Sequence, residues 1–321
     1  MTKLLNVLIV LLAAALIFVI IYPQVQQNRP LNVRFACDST VASLTFLVGV
    51  QESAFVKEKI VPELVFYSDP DKALGELFAG KTDVGVFPWS AVLKRIAEKG
   101  ETLRVLLSED YRPALPVEAI VAPVKSPVKT VADLKGRRFV YPPEMRDYVP
   151  VFLLNAGLTA EQVKLTEVPL SGLIDQMTGG AADAAWLIEP LLCPLDSTQF
   201  RVVQPAACVR YVSQPFPGAC IGFSSAYAKR SRVAGGRLKV STDAAVALSE
   251  TKADLAKEIL ARYFPSVANR YQFCRLPEIQ RLTEINRTSV GALATRLRVA
   301  GILKNDVETK GIFVDPSTLK R

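Results

Sequence analysis

Apolar positions along the chain fall into repeated blocks, and one arrangement of them occurs twice. Leu170, Leu173, Ile174 and Met177 stand at i, i+3, i+4 and i+7, one face of a 3.6-residue period, which predicts a helix. Gly179-Gly180 stops it, and Asp183 then opens the continuous apolar run Ala184 to Ile188, ahead of Glu189-Pro190. Such a run reads as a strand buried on both faces of a parallel sheet. Far upstream, Ala73, Leu74, Leu77 and Phe78 repeat the helical spacing, Gly80 repeats the stop, and Asp83 opens the run Val84 to Phe87 before Pro88. Two blocks of one kind predict two lobes of one kind.

The rest of the pattern fits that frame. Leu31 to Ala36, Leu64 to Tyr67 and Leu103 to Leu107 read as strands separated by helical stretches, the signature of a sheet covered on both faces. The alternation pauses at Tyr111 to Pro116, where proline is frequent, and Val117 to Ala122 reads as a single extended segment. It restarts with the strand Arg138 to Tyr141, a helix to about Asn155 stopped by Gly157, the strand Val163 to Val168 and the second block. Phe200 to Val203 is a further strand, Gln214 to Gly218 a loop, and Cys220 to Ser224 extended again. The remainder reads as mostly helical: Leu255, Ile259, Leu260 and Phe264 keep helical spacing, and Gly291 to Leu303 predicts a late amphipathic helix.

One motif misleads. Gly75 to Thr82 matches the phosphate-loop pattern GxxxxGK[ST], but such a loop follows a strand and opens a helix, so that free N–H groups face the phosphates. Here the helix precedes the strand, with Leu77 and Phe78 where the anion would sit, so the motif is a helix end with a solvated lysine.

Leu4 to Tyr22 is apolar except for Asn6, and no charge follows until Arg29, which predicts a membrane segment. Ala13, Ala14 and Ala15 lie mid-run, and the exit Tyr22-Pro23-Gln24-Val25-Gln26-Gln27 lacks the small residues a signal peptidase requires. The expectation is an uncleaved anchor in the inner membrane; a cleaved signal peptide is the alternative. Lys3 and the terminal amine stand against Arg29 and Arg34, so charge hardly decides orientation.

The 321 residues, half of them hydrophobic, suffice for two modest cores. A formal charge of +8 raises nucleic acid as a partner, but Lys135-Gly136-Arg137-Arg138 and Lys229-Arg230-Ser231-Arg232 are short, isolated basic runs without interleaved aromatics, so none is expected. Cys37, Cys193, Cys208, Cys220 and Cys274 show no CxxC spacing, which argues against a zinc or thioredoxin-like centre. Buried free thiols are the expectation, with a Cys208–Cys220 bridge possible only if their strands are neighbours. The absence of histidine removes serine–histidine and cysteine–histidine chemistry and the commonest general base at neutral pH. No catalytic residue, metal or cofactor is predicted.

Four local motifs carry a family resemblance. Ala54-Phe55-Val56-Lys57-Glu58-Lys59 looks like the end of a first helix, with Ser53 where the family usually has glycine; Val131 to Phe139 is similar to the family's opening of its second lobe. Asp183 to Pro190 resembles the segment closing that lobe, and Phe313 to Leu319 the C-terminal signature. In this order they resemble the extracytoplasmic substrate-binding proteins of ABC importers of the nitrate, sulfonate, taurine and thiamine-pyrimidine type. The resemblance implies an α/β, two-lobed periplasmic-binding-protein fold of type II. Its features would be two parallel-type sheets, hinge strands at Val117 to Ala122 and Cys220 to Ser224, and here an N-terminal transmembrane helix. The divisions expected are 1–28 (anchor), 29–116 (lobe one, first part), 117–217 (lobe two) and 218–321 (lobe one, second part, with C-terminal helices).

The function implied is binding of a small polar molecule or anion by a monomer that delivers it to an ABC permease. A membrane-anchored ligand sensor or scaffold, and an enzyme on the same bilobal fold, are the alternatives; the missing histidine and the apolar N-terminus weigh against the enzyme. Ligands of open α/β sheets sit beyond the carboxyl ends of strands. The candidates are therefore Asp38, Ser39, Thr40, Ser68, Trp89 and Ser90 from lobe one, with Glu144, Arg146, Ser171 and Glu189 from lobe two. A Glu189 carboxylate in a drying cleft calls for donors, either backbone N–H groups and Arg146 or the ligand's own N–H, and a ligand bearing an amine or amide is favoured; Arg146 with the Ser39-Thr40 helix start is the alternative, an anion site.

Overall fold

The computed structural model describes residues 2–230, 233–267, 269–315 and 318–319. Its strands, in chain order, are β1 (Leu31–Cys37), β2 (Ile60–Phe66), β3 (Val84–Pro88), β4 (Leu103–Tyr111), β5 (Glu118–Pro123), β6 (Arg138–Tyr141), β7 (Lys164–Glu167), β8 (Ala184–Ile188), β9 (Phe200–Pro205), β10 (Phe216–Ser224) and β11 (Glu278–Arg281). They form two sheets, ordered β11-β4-β10-β3-β1-β2 and β7-β6-β8-β5-β9. Each sheet has a parallel trio, β2-β1-β3 in one and β7-β6-β8 in the other, flanked by an antiparallel strand, β10 or β5. The sheets are thus mixed, where the apolar runs alone suggested parallel-type sheets. The reason is that a buried antiparallel strand is as uniformly apolar as a parallel one: all nine residues of β10 are buried.

The segments expected to cross between lobes each belong wholly to one sheet. β5 pairs only with β8 and β9, and β10 only with β3 and β4, so the chain passes between sheets at 112–117 and 206–215. β10 also begins earlier than expected. Pro217 and Gly218, read from sequence as loop, lie within it, and Pro217 stands opposite Asp110. Gly218 is required there: a Cβ would lie 2.2 Å from the Tyr111 ring. β11, an edge strand without alternating apolar positions, sits in a region read as helical.

The doubled sequence block has one physical explanation. Arg34 on β1 donates its backbone N–H (2.9 Å) and Nε (3.2 Å) to Asp83, and its Nη2 to the carbonyl of Gly80 (2.7 Å). Arg138 on β6 does the same to Asp183 (2.9 and 3.1 Å) and, through Nη1, to Gly180 (2.8 Å). Both glycines sit at positive φ, 74° and 71°, where they turn the chain from helix to strand. Aspartate and glycine therefore recur three residues apart because one guanidinium clamps both to the neighbouring strand. The first clamp is the costlier to break: the Asp83 side chain is 3% exposed and that of Asp183 18%. Arg34 itself is 35% exposed, so breaking the first clamp costs less than the roughly 3 kcal/mol of a fully buried pair, though more than an exposed one, which is worth at most about 1. Gly75 to Thr82 lies in this block, with helix Pro70–Phe78 before β3 and Lys81 paired to Glu76 at 3.1 Å, so no phosphate cradle forms.

Ser53, in the family's glycine position, adopts φ 58°, the left-handed region in which glycine is least strained. In the C-terminal signature, Phe313 bridges to Val105 and packs 6.0 Å from the Trp89 ring; Pro316 and Ser317 lie outside the described residues. The expected basic run 229–232 is likewise described only in part.

Thr2–Asn28 form one helix whose described apolar side chains, from Val7 to Val25, are exposed. Among the described residues no helix is long and apolar enough to cross a membrane, and the expected span includes positions 4, 5 and 8, whose side chains lie outside the described ones. The transmembrane anchor expected from sequence is therefore not supported by the structure. The cysteine expectation is also corrected: Cys193 and Cys274 form a disulfide, while Cys37, Cys208 and Cys220 are buried and free.

Candidate functional site

The residues at the carboxyl ends of β1 (Asp38) and β3 (Pro88) in one sheet, and of β8 (Ile188) and the turn after β6 (Glu144, Met145) in the other, line one cavity. Asp38 follows β1 directly. Its Oδ1 accepts from the Thr40 N–H (3.0 Å), the Thr40 hydroxyl (2.9 Å) and the Ser43 hydroxyl (2.9 Å), while Thr40 Oγ1 caps the next turn by accepting from Ala42 N (3.1 Å). Across the cleft, the 3₁₀ turn Pro143–Met145 presents Glu144, and helix Val149–Asn155 is preceded by Tyr148. Asp38, Thr40, Tyr111, Glu144, Tyr148 and Phe216 surround a cavity of about 20 Å³, close to the space of one water.

The lobes meet around this cavity. Val41 N donates to the Glu189 carbonyl (3.1 Å), and Ser90 N donates to the Tyr148 hydroxyl (3.0 Å). At the rim, Arg146 of the second lobe joins Asp69 and Asp71 of the first (both 2.7 Å) and Glu167 of its own (2.6 Å). Burial alone would raise the Asp69 carboxyl; the Arg146 hydrogen bond and its companions outweigh it and hold the group below its ordinary value. Arg146 is thus committed to three carboxylates rather than to an anion site with Ser39 and Thr40.

The cavity is acidic. Glu144 is 7% exposed, its Oε2 has no hydrogen-bond partner among the described residues, and burial, then the charge of Asp38, pushes its pKa up to about 8. Behind Ala42 and Ala219 lies Glu109, 4% exposed, with Oε2 accepting from Ala219 N (3.1 Å); burial, then Asp38, pushes it also to about 8. Among the described residues lining the cavity none is lysine or arginine.

Of the residues named from sequence, the cavity gathers Asp38, Thr40 and Glu144, with Ser39 half-buried beside them. Ser90 closes one wall through Tyr148, whereas Trp89 is core: it is fully buried and its Nε1 donates to Ser108 Oγ (2.9 Å). Ser68 and Ser171 are exposed and do not line the cavity. Glu189 does not line it either. Its Oε1 accepts from Arg275 N (3.2 Å) and its Oε2 from Cys193 N (3.0 Å), so protein donors meet the carboxylate and the argument for a ligand amine at Glu189 fails. Burial still raises it to about 7. Sequence reasoning missed Tyr111, Tyr148, Phe216 and Glu109. Tyr148 alone carried a signal, standing one helical turn beyond Glu144.

A family model described as NMT1/THI5 like matches residues 43–208, about half of the chain. The chain belongs to the NMT1/THI5-like family. Among solved structures, the periplasmic aliphatic sulphonate-binding protein SsuA of Escherichia coli aligns at 19% identity over 88% of this chain and 97% of its own, with a TM-score of 0.66. The alkanesulfonate-binding SsuA of Xanthomonas axonopodis pv. citri, bound to MOPS, aligns at 18% identity over 87% and 96% (TM-score 0.69). The periplasmic nitrate-binding protein NrtA of Synechocystis PCC 6803 aligns at 12% identity over 88% and 85% (TM-score 0.68). At these identities the likeness shows the NMT1/THI5-like chain to share the two-sheet periplasmic-binding-protein fold. No curated protein sequence matches it.

Proposed function

We propose that this protein captures a small molecule between its lobes outside the cytoplasmic membrane and presents it to a permease. The observation that carries the reading is closure: contacts that run between the lobes, through Val41, Ser90 and Arg146, ring a cavity at the carboxyl ends of the strands. Structural neighbours that serve as periplasmic sulfonate- and nitrate-binding proteins support it. Binding with micromolar affinity, about 8 kcal/mol, suffices for such a role and requires no chemistry on the bound molecule.

Arg146→Ala is expected to open the lobes, seen as a larger radius of gyration in solution scattering than wild type, while costing the fold only about 1 kcal/mol. A bound molecule is expected to restore the smaller radius and to be recovered unchanged by NMR. Equal radii for variant and wild type, or a converted molecule, would overturn the reading.

The location rests on the exposed apolar helix Thr2–Asn28 and on the fold. Residues 1–28 fused to a reporter active only outside the cytoplasm are expected to export it. An inactive fusion would remove the location from the proposal.

A further inference from the structure

The geometry points to the ammonium end of a primary organic amine as what the interlobe cavity receives, with Glu144 and Asp38 as its acceptors and Tyr111, Tyr148 and Phe216 as its walls. This rests on the binding-protein reading above and names its ligand class.

Three observations converge. First, the acceptor supply exceeds the donor supply. Glu144 is nine-tenths buried, lines the cavity and keeps one carboxylate oxygen unpartnered, and no lysine or arginine among the described lining residues meets it. An ammonium brings three donors and no acceptor, which is what unpartnered carboxylate oxygens lack; nitrate or a sulfonate would bring only further acceptors. Secondly, the walls are aromatic. Phe216 stands 5.4 Å from the Tyr111 ring and 5.1 Å from that of Tyr148, and aromatic faces attract cations in desolvated sites. Thirdly, the cavity matches the head group in size: about 20 Å³ takes a group on the scale of one water, as –NH₃⁺ is, with the rest of the molecule directed to the rim. A positive charge there also offsets the Asp38 charge that, after burial, raises Glu109 and Glu144, and so favours the ionised form of Glu144 as the acceptor.

The test is calorimetry on the full chain with methylammonium, putrescine, choline, nitrate and methanesulfonate, with scattering on the Arg146→Ala variant, whose lobes are expected to stand open without ligand, to follow closure. Methylammonium and putrescine are expected to bind and close the lobes. Choline is expected to bind roughly tenfold more weakly or less, since its three methyl groups outgrow a one-water space, and the anions not at all. Glu144→Gln is expected to weaken the amines roughly tenfold, the loss of a charge-assisted hydrogen bond, and Glu144→Asp, a second variant should the first not fold, to weaken them less. Closure on nitrate or methanesulfonate, with the amines silent or indifferent to Glu144→Gln, would overturn this inference and leave the binding-protein reading standing. No closure with any of the five would overturn both.

Discussion

Raising the pH from about 5 to 8 is expected to destabilise the fold progressively, by about 1.4 kcal/mol per pH unit for each buried carboxyl that stays protonated. Four glutamates set the window, and Asp38 and Asp147, also raised chiefly by burial, act in the same sense. Burial, first among the causes in each case, raises Glu118 and Glu189 to about 7 and Glu109 and Glu144 to about 8. Below the unfolded-state value, near 4.3, both states carry these protons and the contribution is fully present. Between there and the folded values the unfolded chain releases protons that the folded chain retains, so stability falls; above about 8 the folded state has released them too and the loss levels off. Asp69 and Asp183 act in the opposite sense, since their folded values are lowered: their contribution is present above the unfolded value and lost as pH falls through the folded one. The optimum should lie near pH 5. Urea midpoints at pH 5, 6, 7 and 8 check it, and midpoints that stay level or rise would refute it. Glu118→Gln, which keeps an acceptor for only one of the two donors, Trp186 Nε1 on Oε2 or Cys208 N on Oε1, should lower stability at every pH but make the slope shallower.

The doubled helix, glycine, aspartate and strand block was legible because it is local: helical periodicity, a positive-φ glycine and a buried run lie within one stretch. Its cause was not legible, since Arg34 and Arg138 sit 49 and 45 residues from the aspartates they clamp. The same division holds at the cleft. Asp38, Thr40 and Glu144 follow strand ends, a position that chain order reveals. Tyr111 and Phe216 close the cavity only because β4 and β10 pair, and an antiparallel pairing between segments so distant leaves no periodic mark. Glu109 was hidden by lying on a strand that otherwise reads as core. For Glu189 sequence gave the position and not the partners: whether a carboxylate beyond a strand meets ligand or backbone depends on Cys193 and Arg275, brought to it by tertiary folding.

Removing the disulfide by Cys193→Ser with Cys274→Ser is expected to cost about 4 kcal/mol, the loop entropy regained by an unfolded chain no longer closed over a loop of this length. The separation is 81 residues, and the bond ties the segment after β8 in the second sheet to the segment before β11 in the first. The lobes should still meet on that side. Arg270 donates to the carbonyls of Pro194 (3.2 Å) and Leu195 (2.8 Å), and Arg275 to that of Pro116 (3.2 Å), so the variant should fold with its stability lowered. Unfolding wild type with and without reductant should reproduce the difference. In denaturant without reductant, three thiols should react, those of Cys37, Cys208 and Cys220, and after reduction all five. Five reactive thiols from the outset, or a double variant as stable as wild type, would sink the prediction. Its success would also bear on location, because a structural disulfide forms and persists in an oxidising compartment, as a protein outside the cytoplasmic membrane would meet, and is rare in the reducing cytosol.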